Sequence, residues 1–189
     1  MTVSPGDDVV ARGRLTIIRR KRLADAVDEY RWRRDPELAE YDASRPVSSS
    51  FEDYQRNWSF DYRFTDVAAR SFAIEDGAGC HIGNIMYYNI DRTRGEAEIG
   101  ISIGERRCWS RGYGSDALMV MVRSLFGPGG LSRLYLHTLE WNERAQRSFQ
   151  KAGFMVCGTS WRDGHTFLVM ELRREWVNGG SGGGNGPAQ

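Results

Sequence analysis

The chain has 189 residues, with 26 basic and 25 acidic side chains and a net charge of +1. That is long enough for one domain with a sizeable core, and too balanced in charge to draw the chain to nucleic acid or a membrane surface. Cys80, Cys108 and Cys157 show no C-x-x-C spacing, and His81, His137 and His165 lie far apart, so neither a disulfide framework nor a zinc motif is expected. No apolar run reaches membrane-spanning length, and Met1 to Arg12 lacks an apolar signal core, so a cytoplasmic protein with reduced thiols is expected.

In chain order, Met1 to Ala11 reads as a loose leader. Arg14–Arg19 is short and β-branched, a first strand. A helix is predicted from Asp25 to about Arg34, ended by Asp35-Pro36, because a residue before proline avoids helical backbone. Glu37 to Val47 reads as a loop or short helical turn. Ser48 to Asp53 opens the next helix, with Ser49/Glu52 or Ser50/Asp53 as a capping box. Its aromatics Phe51, Tyr54, Trp58 and Tyr62 share one face and are expected to pack into the core. Ala69–Ile74 and His81–Ile90 form a hairpin through the favoured turn pair Asp76-Gly77. Asp91 to Gly95 turns the chain into a strand, Glu96–Ile103.

A polar connector, Gly104 to Ser110, leads to Arg111-Gly-Tyr-Gly-Ser-Asp-Ala117 and an apolar helix over 114–126, stopped by Gly127-Pro-Gly-Gly130. Strand 133–139 follows, then helix 142–152 with Asn142 as N-cap and Gly153 just past its end. Phe154–Trp161 and Thr166–Arg173 pair through Arg162 to His165. The Gly-rich stretch Asn178 to Gln189 is expected to be disordered. This mixed order predicts an α/β (α+β) domain over residues 12–176, flanked by the 1–11 leader and a 177–189 tail. The strands on either side of helix 114–126 are expected to be parallel and joined right-handed.

Strand, glycine-rich turn, helix is an arrangement that aims backbone N–H groups and a helix's positive end at an anion. Gly112 and Gly114 permit close approach and backbone conformations that a side chain blocks. Two readings of this loop remain beside the one that follows. Gly112-Tyr-Gly114-Ser-Asp-Ala117 matches the dinucleotide fingerprint G-x-G-x-x-A, with Glu140 as the ribose acid, although the strand ends well before Gly112 and no further βαβ units follow. The glycines can also simply turn a corner.

Trp109-Ser-Arg-Gly-Tyr-Gly114 resembles the acyl-CoA pyrophosphate loop of the GNAT N-acetyltransferases, Q/R-x-x-G-x-G/A. Ala97–Ile103 resembles that family's central strand, and Asn142-Glu-Arg-Ala-Gln-Arg-Ser-Phe-Gln-Lys-Ala-Gly-Phe154 its second signature. Trp32-Arg-Arg-Asp-Pro-Glu37 and Trp109…Ala117 look most like the RimJ/RimL-like branch of ribosomal-protein alanine acetyltransferases and polyamine-acetylating relatives. The resemblance implies a GNAT fold: a mixed, mostly antiparallel sheet of about seven strands, splayed at strands 4 and 5, flanked by helices. It implies direct transfer of an acetyl group from acetyl-CoA to a primary amine, either a protein N-terminus or a small amine or polyamine, without a metal. Dimers are common in the family, so a homodimer through C-terminal edge strands is a further expectation.

On this resemblance the cofactor-binding residues are Ile101, Ser102, Ile103, Trp109, Arg111, Gly112, Tyr113, Gly114, Ser115, Asn142 and Phe149. Trp109 stands where the family often has Gln or Arg. Glu98 is a candidate base acting through water, or a strand-surface glutamate. Phe149 aligns with the family's usual tyrosine acid and has no proton to give. A CoA thiol with pKa about 8.5 is a tolerable leaving group, so water can protonate it. Ser148 is nearby but expected to face elsewhere on the helix. The aromatics of the second helix can roof an acceptor pocket, and Asp35, Glu37, Glu40 and Asp42 either attract a cationic acceptor or form a solvated face. Cys108 lacks a supporting histidine, which disfavours an acyl-enzyme route. A non-catalytic acyl-CoA sensor that kept the loop and lost the acid is the alternative function.

Overall fold

The computed structural model describes residues 8–63 and 69–178. The strands are β1 (Val9–Arg12), β2 (Thr16–Arg20), β3 (Ala69–Asp76), β4 (His81–Asp91), β5 (Glu96–Ile103), β6 (Arg133–Leu139), β7 (Met155–Arg162) and β8 (His165–Arg173). The helices are α1 (Asp25–Arg33), α2 (Pro36–Tyr41), α3 (Phe51–Arg63), α4 (Tyr113–Phe126), α5 (Glu143–Lys151) and α6 (Arg174–Asn178), with one 3₁₀ turn over Arg106–Cys108. The strands form a single sheet in the order β1-β2-β3-β4-β5-β6-β8-β7, antiparallel throughout except for the parallel pair β5–β6.

The sheet has eight strands where about seven were expected, because Val9–Arg12, of which Val9–Ala11 was assigned by sequence to a loose leader, pairs with β2. The second strand begins at Thr16 rather than Arg14 for a related reason. Asp116, in the first turn of α4, accepts hydrogen bonds from the N–H groups of Arg14 (3.1 Å), Leu15 (2.9 Å) and Thr16 (3.0 Å) and from the Thr16 hydroxyl (2.7 Å). Those N–H groups bind a carboxylate instead of a strand, so the turn between β1 and β2 wraps over α4. Gly13 belongs to this contact: a Cβ there would lie 2.2 Å from Asp116 Oδ2.

The α4 face of the sheet carries the core, where Ile18, Ile74, Ile85, Ile99, Leu134 and Leu136 meet Leu118, Met121 and Leu125 of α4 and Phe149 of α5. The antiparallel register puts Met86 opposite Gly100, Asn84 opposite Ser102 and Tyr88 opposite Glu98. These residues point to the other face, since side chains alternate along a strand. Over that face α1, with α2 and α3 packed on it, approaches β4. Asp35-Pro36 both ends α1 and starts α2, because the Asp35 carboxylate caps the Glu37 and Leu38 N–H groups. Thus Glu37 to Val47, read as a loop or short helical turn, begins within a short helix, Pro36–Tyr41. Ser50 caps α3: its Oγ accepts from the Asp53 N–H (3.2 Å), and its hydroxyl donates to the Asp53 carboxylate (2.9 Å), which replaces the reciprocal backbone bond of a full capping box. Phe51 and Tyr54 each lie 5.2 Å from the Tyr30 ring of α1. The side chain of Tyr62 falls outside the described residues.

The parallel pairing of β5 and β6 covers only Glu96–Glu98 against Arg133–Tyr135. Both strands continue, to Ile103 and Leu139. They therefore splay, and the second half of β5 keeps β4 on one side and an open edge on the other. No described helix is long and apolar enough to cross a membrane.

Candidate active site

Two cavities flank the open half of β5. The first, about 420 Å³, lies between β5, the start of α4 and α5. The second, about 1160 Å³, lies between the sheet and α1–α3, with Asn84, Met86 and Ser102 on its floor and Trp32, Tyr54 and Trp58 among its walls. Both are lined by Leu38, Asp42 and Ser102, so they meet beside the free edge of β5.

The first cavity is built for an anion at one end. Ser110 (φ 58°) and Gly112 (φ 89°) are left-handed on either side of Arg111, and Gly112 is the N-cap of α4. No side chain caps this helix end, so the first-turn N–H groups are left for a ligand and the helix field adds to their attraction. A Cβ on Gly114 would approach Ser148 Oγ to 3.0 Å, so glycine keeps the space between α4 and α5 open. Around the cavity stand Arg144, Arg147 and Lys151 of α5. They recur at one-turn spacing and make that helix face basic.

Of the residues expected to bind cofactor, Ile101, Ser102, Ile103, Trp109, Gly112, Gly114, Ser115, Asn142 and Phe149 line the first cavity. Arg111 and Tyr113 do not line it. Arg111 is exposed, and Tyr113 packs at the margin of the core. The Ile103 carbonyl accepts a hydrogen bond from Trp109 Nε1 (2.7 Å). The Trp109 ring also lies under the Arg144 guanidinium at 3.6 Å, with Tyr41 edge-on at 5.7 Å. This clasp joins α2 to α5 over the connector, which is the structural use of tryptophan at this position. Asn142 caps α5 by accepting from the Ala145 N–H (3.1 Å).

Phe149 is buried against Phe154 and lines the cavity. Ser148, expected to face elsewhere, lines the cavity as well. Cys108 is buried at its wall, and burial pushes its thiol above the ordinary cysteine value. That leaves it protonated and a poor nucleophile.

Glu98 lines neither cavity. It is buried at the point where β5 and β6 part, and both its oxygens are engaged. Tyr88 Oη donates to Oε1 (3.0 Å), Asn89 Nδ2 to Oε2 (3.0 Å), and His137 Nδ1 lies 2.7 Å from Oε1. Asn89 reaches it from a left-handed conformation (φ 51°) inside the β4 bulge. Burial and the charge of Glu98 both push the Tyr88 phenol upward, so it stays protonated and keeps donating.

The acidic group near α2 divides. Arg106 pairs with Asp35 (2.7 Å) and Glu37 (2.6 Å), tying α2 to the connector. Only Asp42 of the group lines the cavities. Leu38 and Tyr41 were not expected among the lining residues, because a loop or short helical turn over Glu37 to Val47 assigns no side chain to a face. Nor was the basic face of α5 expected, although the spacing of Arg144, Arg147 and Lys151 is legible in the sequence. Among the described residues, no three or more His, Cys, Asp or Glu side chains gather where they could hold a metal ion.

The family model for the GNAT acetyltransferase domain matches residues 14–155. No curated protein matches the chain. Among solved structures, a GNAT-family acetyltransferase from Bacillus anthracis superposes with a TM-score of 0.74 at 16% identity, over 87% of this chain and 98% of that one. The spermidine N-acetyltransferase of Vibrio cholerae, in complex with CoA and spermine, gives 0.73 at 19% identity, over 85% and 96%. An aminoglycoside acetyltransferase in complex with coenzyme A gives 0.71 at 19% identity, over 86% and 97%. The splayed sheet with its uncapped glycine loop thus has the fold of these enzymes, and the match across most of the sequence makes this chain a member of the GNAT acetyltransferase family.

Proposed function

We propose that this enzyme transfers an acetyl group from acetyl-CoA directly to the primary amine of a small molecule or a protein N-terminus. The observation that carries the reading is the meeting of the two cavities at Leu38, Asp42 and Ser102. One cavity has the features a CoA diphosphate requires, and the other is roomy enough for a separate acceptor. Solved relatives in this fold include complexes with CoA and with spermine, which supports a donor and an acceptor bound side by side.

The residues divide the work. The first-turn N–H groups of α4, with Gly112 and Gly114 giving access, hold the diphosphate. Arg144, Arg147 and Lys151 add positive charge at the same cavity. The free edge of β5 offers main-chain groups to the pantetheine amides, as an added strand does. The side chain of Asn142 accepts from the Ala145 N–H through its carbonyl, which leaves its amide N–H₂ to donate. Phe149 packs against the arm. Ser148, on the same cavity, supplies a hydroxyl where Phe149 has none. A buried, protonated Cys108 favours transfer in one step over an acyl-enzyme.

Trp32 and Trp109 carry the RimJ/RimL-like reading. The Trp32 ring lies flat on Gly104, where a Cβ would fall 2.1 Å from Cδ2, and Trp109 forms the clasp with Arg144. Both tryptophans set the connector that leads to the glycine loop.

The test is release of CoA thiol from acetyl-CoA with a panel of polyamines, small amines and N-terminal peptides. Steady turnover with at least one amine is expected. Phe149 favours one other reading, a sensor, and tight CoA binding without turnover across the panel would support it instead.

A further inference from the structure

Most carboxylates near the second cavity already have partners. Glu29 pairs with Lys21 (2.7 Å) and accepts from Trp58 Nε1 (2.9 Å). Asp35 and Glu37 are held by Arg106 on the outside of α2. Glu98 has three donors and lines neither cavity.

Asp42 differs in each respect. It is the C-cap of α2, its N–H bonded to the carbonyls of Leu38 (3.2 Å) and Ala39 (3.1 Å). Ala43 follows in a left-handed conformation (φ 48°), a costly state for alanine that turns the chain sharply after Asp42. The Asp42 carboxylate has no hydrogen-bond or ion-pair partner among the described residues. It is exposed and lines both cavities. The protein around it pushes the carboxyl above the ordinary aspartate value, opposed by the charge of Arg33 on α1.

We infer that Asp42 receives the acceptor's ammonium at the junction of the two cavities and takes its proton. The inference rests on the reading that the enzyme acetylates amines. An alkyl amine has a pKa near 10.4 and arrives protonated at neutral pH, so a nearby acceptor for that proton is needed before attack.

One proton passes from the ammonium to a carboxylate oxygen of Asp42, and the freed nitrogen lone pair forms the C–N bond to the acetyl carbon. The C–S bond breaks, and its electron pair leaves on sulfur. A second proton, lost by nitrogen as the amide forms, converts the thiolate to the thiol. Asp42 then returns its proton to the cavity water.

The experiment uses the full chain and the best amine from the acceptor panel. Acceptor kcat and KM, the Kd for CoA and the Tm are measured for wild type, Asp42→Asn, Asp42→Ser and Asp42→Glu. Asn and Ser are expected to lower kcat/KM for the amine by about 10²-fold or more, with Glu restoring part of the loss. The Kd for CoA and the Tm are expected to stay at the wild-type values. Two neutral replacements of different shape keep a folding defect peculiar to one side chain from deciding the result. If wild type turns over and both neutral variants keep kcat/KM within about threefold, the role of Asp42 is overturned and amine acetylation stands. If wild type releases no CoA with any amine, amine acetylation fails and this inference falls with it.

Discussion

His137 Nδ1 lies 2.7 Å from Glu98 Oε1, joining β6 to the last β5 residue that pairs with it. Behind it the Arg162 guanidinium contacts His137 Nε2. A guanidinium only donates, so Nε2 accepts and the ring hydrogen sits on Nδ1, directed at Glu98. With Tyr88 and Asn89 from β4, the network pins three strands at the apex of the splay. A buried network of this kind is costly to leave half made.

Glu98→Gln is accordingly expected to destabilise the fold. Its amide nitrogen must face at least one donor that now meets an acceptor. The loss is expected to be about 1–3 kcal/mol, read from denaturant unfolding. With Asp42 taking the amine's proton, the pH–rate profile of this variant keeps its wild-type shape. A lost limb in that profile would instead return Glu98 to the mechanism as a base acting through water.

Asp116 predicts an acid-sensitive hinge between β1–β2 and α4. Burial raises its carboxyl, but the Thr16 hydroxyl and the N–H groups of Leu15, Arg14 and Thr16 outweigh that and hold it below the ordinary 3.8. A carboxyl with a folded value below its unfolded one stabilises the fold above the unfolded value, and that contribution is lost as pH falls through the folded one. Stability should therefore fall below about pH 4 in wild type, and less steeply in Asp116→Asn. The variant itself should lose on the order of 2–3 kcal/mol at neutral pH, measured by chemical denaturation.

Gly112 sits at φ 89° with the α4 N–H groups beyond it. Holding alanine in that conformation costs about 1–2 kcal/mol. Gly112→Ala should therefore raise the Kd for CoA by about tenfold, measured by calorimetry. An unchanged Kd would mean that the diphosphate is held elsewhere.

Trp109 has two separable contacts, its N–H on the Ile103 carbonyl and its ring under Arg144. Trp109→Phe removes the first, worth about 1 kcal/mol, and Trp109→Ala also removes the second, worth about 0.5–2 kcal/mol more. CoA should bind wild type most tightly, Trp109→Phe next and Trp109→Ala least. Equal affinities for the two variants would show that the stacked clasp does not shape the cavity.

Local chemistry carried much of this protein on its own. Asp76-Gly77, the Ser50/Asp53 pair, Asn142 and the breaker run after Phe126 act over a few residues, so their turns and caps were legible in the sequence, as was the strand–glycine loop–helix unit from Glu96 to Phe126. Long-range partnerships were not. Arg14 and Leu15 leave strand geometry for a carboxylate on α4, the neighbouring Val9–Arg12 becomes a strand by pairing with β2, and Glu98 is sealed by side chains from β4 and β6. Asp42 was one of four similar acidic residues until Arg106 engaged two of them. Its place where two cavities meet depends on α2 packing beside β5. Hydrogen-bond and cavity partners of this kind are chosen by distance in space, and the spacing of residues along the chain does not encode that distance.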